Sequence, residues 1–369
     1  MKKTLVSTTV GFLTAMLVAS GAVAQTADWK TTWDDTLAAA RKEAKVTIVG
    51  SPDPVMRNEV IPAFERRFPG IKVDYLAGRS ADIVERVKLE RGSGIYSVDA
   101  YLSGPDTQYN TLHAEKLIDP LRPYLILPEV TEGKNWKPGK LWFMDKDGAY
   151  VLRLFNSVDS LVFINTDYVK PEEMKAAKDL LNPKWQGKIS TEDPTSDRGS
   201  GGNTAANIYS QLGGDFTKKL YVDQKVQISR DRRQLTDWLA RGTYPLCLTC
   251  RADDVKPLLK EGFKLLEVYD IEGLKGRVNS SPFLLSVANK AAHPNAMKVF
   301  INWLAGKEGL ELYSRGYGAA TLRTDVDESF IDPQNIPKPG VDYPDDADPK
   351  WRSADKLEYG AKIRAMMKH

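Results

Sequence analysis

The sequence predicts an α/β protein of two domains, and three observations carry that reading. The chain has 369 residues, 42% apolar and 27% charged, more than one ordinary core organises. Short apolar strands alternate with amphipathic helices from Trp33 to Leu102. After an irregular, Gly-, Pro- and Trp-containing stretch at 129–148, the alternation resumes and runs to about Gly276. Such alternation implies a mostly parallel sheet covered on both faces, with ligands at the carboxyl ends of its strands.

The elements follow in order. Residues 1–24 read as a secretory signal peptide: Lys2 and Lys3 form the basic start, residues 5–18 the apolar run, and Ala22-Val23-Ala24 the small-x-small site before Gln25. A membrane anchor is the alternative, but the run is short of ~18 uninterrupted apolar residues and is broken by Ser7, Thr8 and Thr9. Trp33, Leu37, Ala40 and Ala44 share one face of a helix that leads into the strand 46–49 and the turn Gly50-Ser51-Pro52. A helix over 54–68, a Pro69-Gly70 stop and the strand 71–76 complete a βαβ unit, which a helix over 81–91 and a strand at 98–102 extend. Strands are expected at 150–155 and 160–165, and the second α/β segment has a helix opening after Gly202. It continues with a helix over 232–240, a strand at 245–249 and a helix over 252–261. A strand at 282–288 and a helix over 296–304 follow, and the Pro- and Asp-rich stretch 332–351 reads as a surface-wrapping tail.

Charge and composition exclude several functions. Lys plus Arg number 52 against 49 acids, +3 formally, and loss of the two signal-peptide lysines leaves +1. With no strongly basic domain, nucleic-acid binding by counterion release is not expected. His113, His293 and His369 lie far apart, with no His or Cys at metal-ligand spacing, so no metal site or cofactor is expected. Acyl-transfer chemistry lacks its Gly-x-Ser-x-Gly elbow, and no carboxylate partner for a histidine is evident in the sequence.

Several strings, in order along the chain, carry a resemblance. They are Glu43-Ala44-Lys45-Val46-Thr47-Ile48-Val49-Gly50-Ser51, Phe64-Glu65-Arg66-Arg67-Phe68-Pro69-Gly70-Ile71-Lys72-Val73, Asn182-Pro183-Lys184-Trp185-Gln186-Gly187-Lys188-Ile189, His293-Pro294-Asn295-Ala296, and 300–309 from Phe300 to Gly309. Behind a signal peptide, this order resembles the bacterial extracellular solute-binding proteins of ABC importers, in the branch that includes the ferric-iron-binding periplasmic proteins. The resemblance implies a bilobal periplasmic-binding-protein fold (type II-like), with two α/β lobes joined by hinge strands and ligand caught between them. Lobe 1 is then 25–155 plus 278–369, including the C-terminal tail, and lobe 2 is 156–277, with crossings near 153–163 and 276–283. It also implies a periplasmic, monomeric receptor that delivers a small solute to an inner-membrane ABC permease and is not an enzyme. A secreted lyase or hydrolase on the same scaffold is the competing class, since fold does not fix function.

The ligand site is expected at segment ends. Thr195, Ser196, Arg198, Gly199, Ser200 and Gly201 precede a helix. Glycines there let backbone N–H groups crowd toward a ligand and the helix start adds partial positive charge, so the segment reads as an anion cradle or as a plain capped loop. Arg153, Arg230 and Arg251 offer guanidinium forks for a planar anion, and cleft-facing arginines are expected to be solvated. Ser51, Ser103 and Ser280 sit where strands end at the cleft or serve as turn residues. The iron-binding relatives use adjacent tyrosines, and this sequence has no Tyr-Tyr pair; Tyr209 alone lies near the corresponding helix. The expected ligand is therefore a small anion, with ferric iron the alternative. Cys247 and Cys250 are about 10 Å apart in extended strand, beyond bridging range, so either the chain turns at Thr249 and a disulfide forms, or two thiols remain, buried or redox-active.

Overall fold

The computed structural model describes residues 18–78, 80–196, 199–280, 284–345, 347–348 and 356–368, the side chains of 18–28, 80–83 and 356–357 excepted. The first 17 residues of the expected signal peptide lie outside the described residues.

Helix α1 (Val18–Glu43) feeds β1 (Lys45–Gly50). The sequence predicts one helix over 54–68; the structure divides it into a π-turn at Met56–Val60 and α2 (Ile61–Arg67). Pro62 is the physical reason, because it has no N–H for the i→i−4 ladder. Strand β2 (Lys72–Ala77), α3 (Ser80–Gly92), β3 (Ala100–Ser103), the short α4 (Pro105–Thr107), β4 (Ile118–Asp119) and the single turn α5 (Pro128–Thr131) follow. Next come β5 (Leu152–Arg153), β6 (Ser157–Val158), β7 (Val162–Asn165), β8 (Ile189–Thr191), α6 (Ser200–Lys218), β9 (Gln227–Ile228), α7 (Arg232–Ala240), β10 (Leu246–Cys247), α8 (Ala252–Lys260) and β11 (Leu265–Val268). The chain then runs through β12 (Val278–Asn279), β13 (Leu284–Ala288), α9 (Pro294–Ala305), α10 (Lys307–Tyr317) and α11 (Lys356–Met366).

These strands form two main sheets. The first has the order β2-β1-β3-β13-β4, with β5 also on β13; β1 is parallel to β2 and β3, whereas β13, from the far end of the chain, is antiparallel to β3. The second has the order β11-β7-β10-β8-β9, with β8 parallel to β10 and β9. Between them β6 pairs with β12, Val158 opposite Val278 and Ser157 opposite Asn279, where the chain leaves the first sheet and where it returns. Asp159 fastens this ladder, accepting from Arg277 Nη2 at 2.5 Å and from Asn279 Nδ2 at 2.9 and 3.0 Å.

Each sheet has its own core. Phe64 packs on Phe300 at 5.1 Å and Trp303 at 5.5 Å between ring centroids, all three buried beside the first sheet; each such side chain contributes about 1.5–3 kcal/mol through area removed from water. The Glu43 carboxylate, at the end of α1, accepts from the Asn295 and Ala296 N–H groups and so closes the N-terminus of α9. In the second sheet Ile164, Ile189, Ala205, Ile208 and Leu246 form one buried cluster, and Ile363 of α11 joins it at 1% exposure. This corrects the assignment of 278–369 to lobe 1: the chain returns, and its last helix packs on α6, because Tyr359, Ile363 and Met367 present an apolar face there. Among the described residues no helix is long and apolar enough to cross a membrane.

Candidate functional site

The three loops that follow β8, β9 and β10 leave the second sheet at the same edge, because those strands are mutually parallel. Backbone bonds continue the register beyond the strands: Leu248 N–H donates to Ser190 O at 2.9 Å and Ser229 N–H to Thr191 O at 3.0 Å. Glu192 N–H donates to Thr249 Oγ1 at 2.6 Å, which ties the first loop to the third. Arg230 Nη2 donates to Asp193 Oδ2 at 3.0 Å, which ties the second to the first.

Helix α6 starts against this cluster. Gly199 has φ +91°, open to glycine and strained for other residues. A Cβ on Gly201 would lie 2.3 Å from Asp193 O, and one on Gly202 would lie 1.8 Å from Ser196 O, both backbone atoms. The two glycines thus serve the close approach of the helix start to the 193–196 backbone. Thr195 gives both its N–H (3.0 Å) and its hydroxyl (2.6 Å) to Asp193 Oδ1. Burial pushes the Asp193 carboxyl up, but the Thr195 and Arg230 bonds outweigh it and hold the group below 3.8, the ordinary aspartate value. Ser196 is exposed and Ser200 half-buried; Arg198 lies outside the described residues.

Arg153 and Arg251 are not the solvated forks that the sequence leads one to expect. Arg153, on β5, is 2% exposed. Its Nε donates to Phe155 O at 2.8 Å, its Nη1 to Asp345 Oδ2 at 2.7 Å, and its guanidinium lies 4.9 Å from the centre of the Trp142 ring. Arg251 bonds Asp253, whose carboxyl burial would raise but which the Arg251 and Arg232 charges pull below the ordinary range. Arg230 alone of the three is largely exposed. Each therefore already meets a carboxylate of its own chain.

On the first lobe, Ser51 follows β1 and its carbonyl accepts from Tyr75 Oη at 2.6 Å. Ser103, at the end of β3, is buried, and its hydroxyl has no partner among the described residues; it lines a small cavity with Gly50, Tyr101 and Thr107. Ser280 is fully buried next to β12. The two lobes also meet where Lys256 Nζ, on α8, donates to Tyr317 O at 2.7 Å, the C-terminal end of α10.

Several features escape sequence reasoning. Asp345 on Arg153 is a contact over 192 positions, with no local signal. His293 does have a carboxylate partner, Asp99 at 2.9 Å, which corrects the view that the histidines lack one. Asp99 also accepts from Thr47 N–H, before β3 and near the start of β1, at the sheet end opposite the loops. Cys247 and Cys250 are bridged, with 5.6 Å between α-carbons; β10 ends at Cys247 and the chain turns, as bridging requires. Tyr209 packs on Tyr359 of α11, ring centroids 4.9 Å apart. Among the described residues no group of three or more His, Cys, Asp or Glu side chains is placed to hold a metal ion.

Two lobes on separate sheets, joined by a strand ladder, with strand-end loops on each, define a bilobal binding protein. Residues 44–318 match the family described as bacterial extracellular solute-binding protein, and this chain belongs to that family. Solved structures similar to it include iron-bound HitA from Pseudomonas aeruginosa, at TM-score 0.64 and 16% identity over 88% of this chain and 99% of that one. Another is the periplasmic binding protein AfuA from Actinobacillus pleuropneumoniae with fructose-6-phosphate bound, at TM-score 0.65 and 18% identity over 88% and 98%. Iron uptake protein A1 of Synechocystis is 24% identical over 120 residues, which is 32% of this chain; the match spans 30% of that relative's length.

Proposed function

We propose that this protein is the periplasmic solute-binding component of an ABC importer, exported by residues 1–24, which captures a small anionic solute between its lobes. It releases that solute unchanged to an inner-membrane permease, works as a monomer, and is not an enzyme. The two lobes are 25–155 with the returning strands after 278, and 156–277 with α11 added.

The observation that carries the anion reading is that the 193–196 backbone packs on the start of α6 and that the loops after β9 and β10 are tied to it through Arg230–Asp193 and Thr249–Glu192. First-turn amides and the helix dipole there favour negative charge. Thr195 and Arg230 already hold one carboxylate, Asp193, in that corner. Thr195, Ser196, Arg198, Gly199, Ser200, Gly201, Arg230 and Arg251 are the residues we assign to ligand from this side, and Ser51, Ser103, Arg153 and Ser280 from the others. AfuA, whose structure holds a sugar phosphate, is consistent with an organic anion.

Ferric iron is the second reading, favoured by the names of HitA and Iron uptake protein A1. Against it, Tyr209 faces α11 and Tyr313 Oη donates to the buried Asp53 at 2.5 Å. Calorimetric titration with a panel of small carboxylates and organic phosphates tests the proposal. One site per chain and recovery of unchanged ligand are expected; turnover of the ligand, or tight uptake of ferric iron with a visible tyrosinate band, would contradict it.

A further inference from the structure

The tail after α10 lies across the hinge. Asn335 Nδ2 donates to Val158 O at 2.9 Å, Lys338 Nζ pairs with Asp270 at 3.0 Å, and Val278 N–H donates to Pro344 O at 2.8 Å. These contacts deliver Asp345 to Arg153. One Asp345 oxygen accepts from Ala347 N–H at 2.9 Å and the other from Arg153 Nη1 at 2.7 Å. Arg153 Nη2 is buried and has no partner among the described residues.

We propose that Asp345 is a built-in carboxylate that occupies the ligand's place on Arg153, and that the solute displaces it with a carboxylate of its own. This rests on the reading of Arg153 as a ligand contact. The internal bond uses one of the two outer guanidinium nitrogens and leaves the other buried without a partner among the described residues. A free carboxylate meets both in the fork geometry, which makes two charge-assisted bonds where the tail makes one. The Asp345 side chain, 29% exposed, returns to water when it is displaced. Trp142 lies against the guanidinium and favours a planar group at its edge. The tail thus raises the affinity threshold for weak anions and ties capture to release of a strap that runs from the first lobe across the hinge to the second.

The test uses the full mature chain, with succinate and inorganic phosphate as probes. Asp345→Asn keeps an oxygen for the Ala347 amide while it removes the competing charge. It is expected to bind succinate about tenfold tighter than the native protein, as one charge-assisted contact ceases to compete. Succinate should speed hydrogen exchange at the Ala347 amide of the native protein, and Arg153→Gln should lose succinate binding and that response together. Unchanged or weaker succinate affinity in Asp345→Asn overturns the competition, and a gain confined to phosphate overturns the carboxylate assignment. If succinate binds neither protein while Ala347 exchange is faster in Asp345→Asn, the site reading at Arg153 fails and the competition with it. If succinate binds through Arg153 but ignores Asp345, only the competition fails.

Discussion

Arg153 is held by its own chain through Phe155, Asp345 and Trp142, so it is part of the fold before it is part of a site. Arg153→Ala is expected to lower unfolding free energy by about 1.5–3 kcal/mol, the range for hydrogen bonds to a charged group, in urea melts. Asp193 gives a pH signature. Its carboxyl is held below the ordinary value in the folded state, so its stabilisation is complete above the unfolded value of 3.8 and is lost as pH falls through the lower folded one. Asp193→Asn should therefore flatten the fall in stability as pH drops below 3.8, the ordinary aspartate value, measured by the same melts. That glycines, hydroxyls and arginines stand at strand ends was legible in the sequence. Their partners were not. Asp345 and Asp193 are ordinary surface-type residues by sequence, and only folding brings the first of them to Arg153.

At the scale of elements, the start of α6 depends on glycine for packing. Gly202→Ala puts a methyl group 1.8 Å from a backbone carbonyl, and overpacking of this kind costs about 1–3 kcal/mol. Loss of helical circular dichroism at lower urea concentration is the expected readout, and solute binding should weaken with it. The disulfide after β10 closes a loop of four residues, 247 to 250, for which loop-closure entropy gives about 2 kcal/mol. Reduction should remove that much stability and loosen the segment that carries Thr249 and Arg251, seen as faster hydrogen exchange at Glu192, whose amide Thr249 holds. Periodicity made α7, α8 and α9 legible nearly to their ends. It could not show β9, two residues long, or the π-turn ahead of Pro62, since neither leaves an apolar period in the sequence.

For the whole molecule, length and the alternation of strands and helices carried the two-domain α/β reading and the family resemblance the two-lobe one, and the two sheets and the β6–β12 ladder agree with that architecture. The return of α11 to the second lobe was not legible, because an isolated amphipathic turn after a Pro- and Asp-rich stretch looks like any tail. Ile363→Ala should destabilise the second lobe by about 2–4 kcal/mol, as for other buried large-to-small changes, and free the face of α6 that carries Tyr209. The central claim, capture of one small acid by a receptor, is most directly tested by native mass spectrometry of the mildly purified mature protein, followed by release of the bound molecule. One acidic, metal-free molecule per chain, lost in Arg153→Gln, is the expected result. A bound ferric ion, or a neutral solute retained equally by Arg153→Gln, would contradict it.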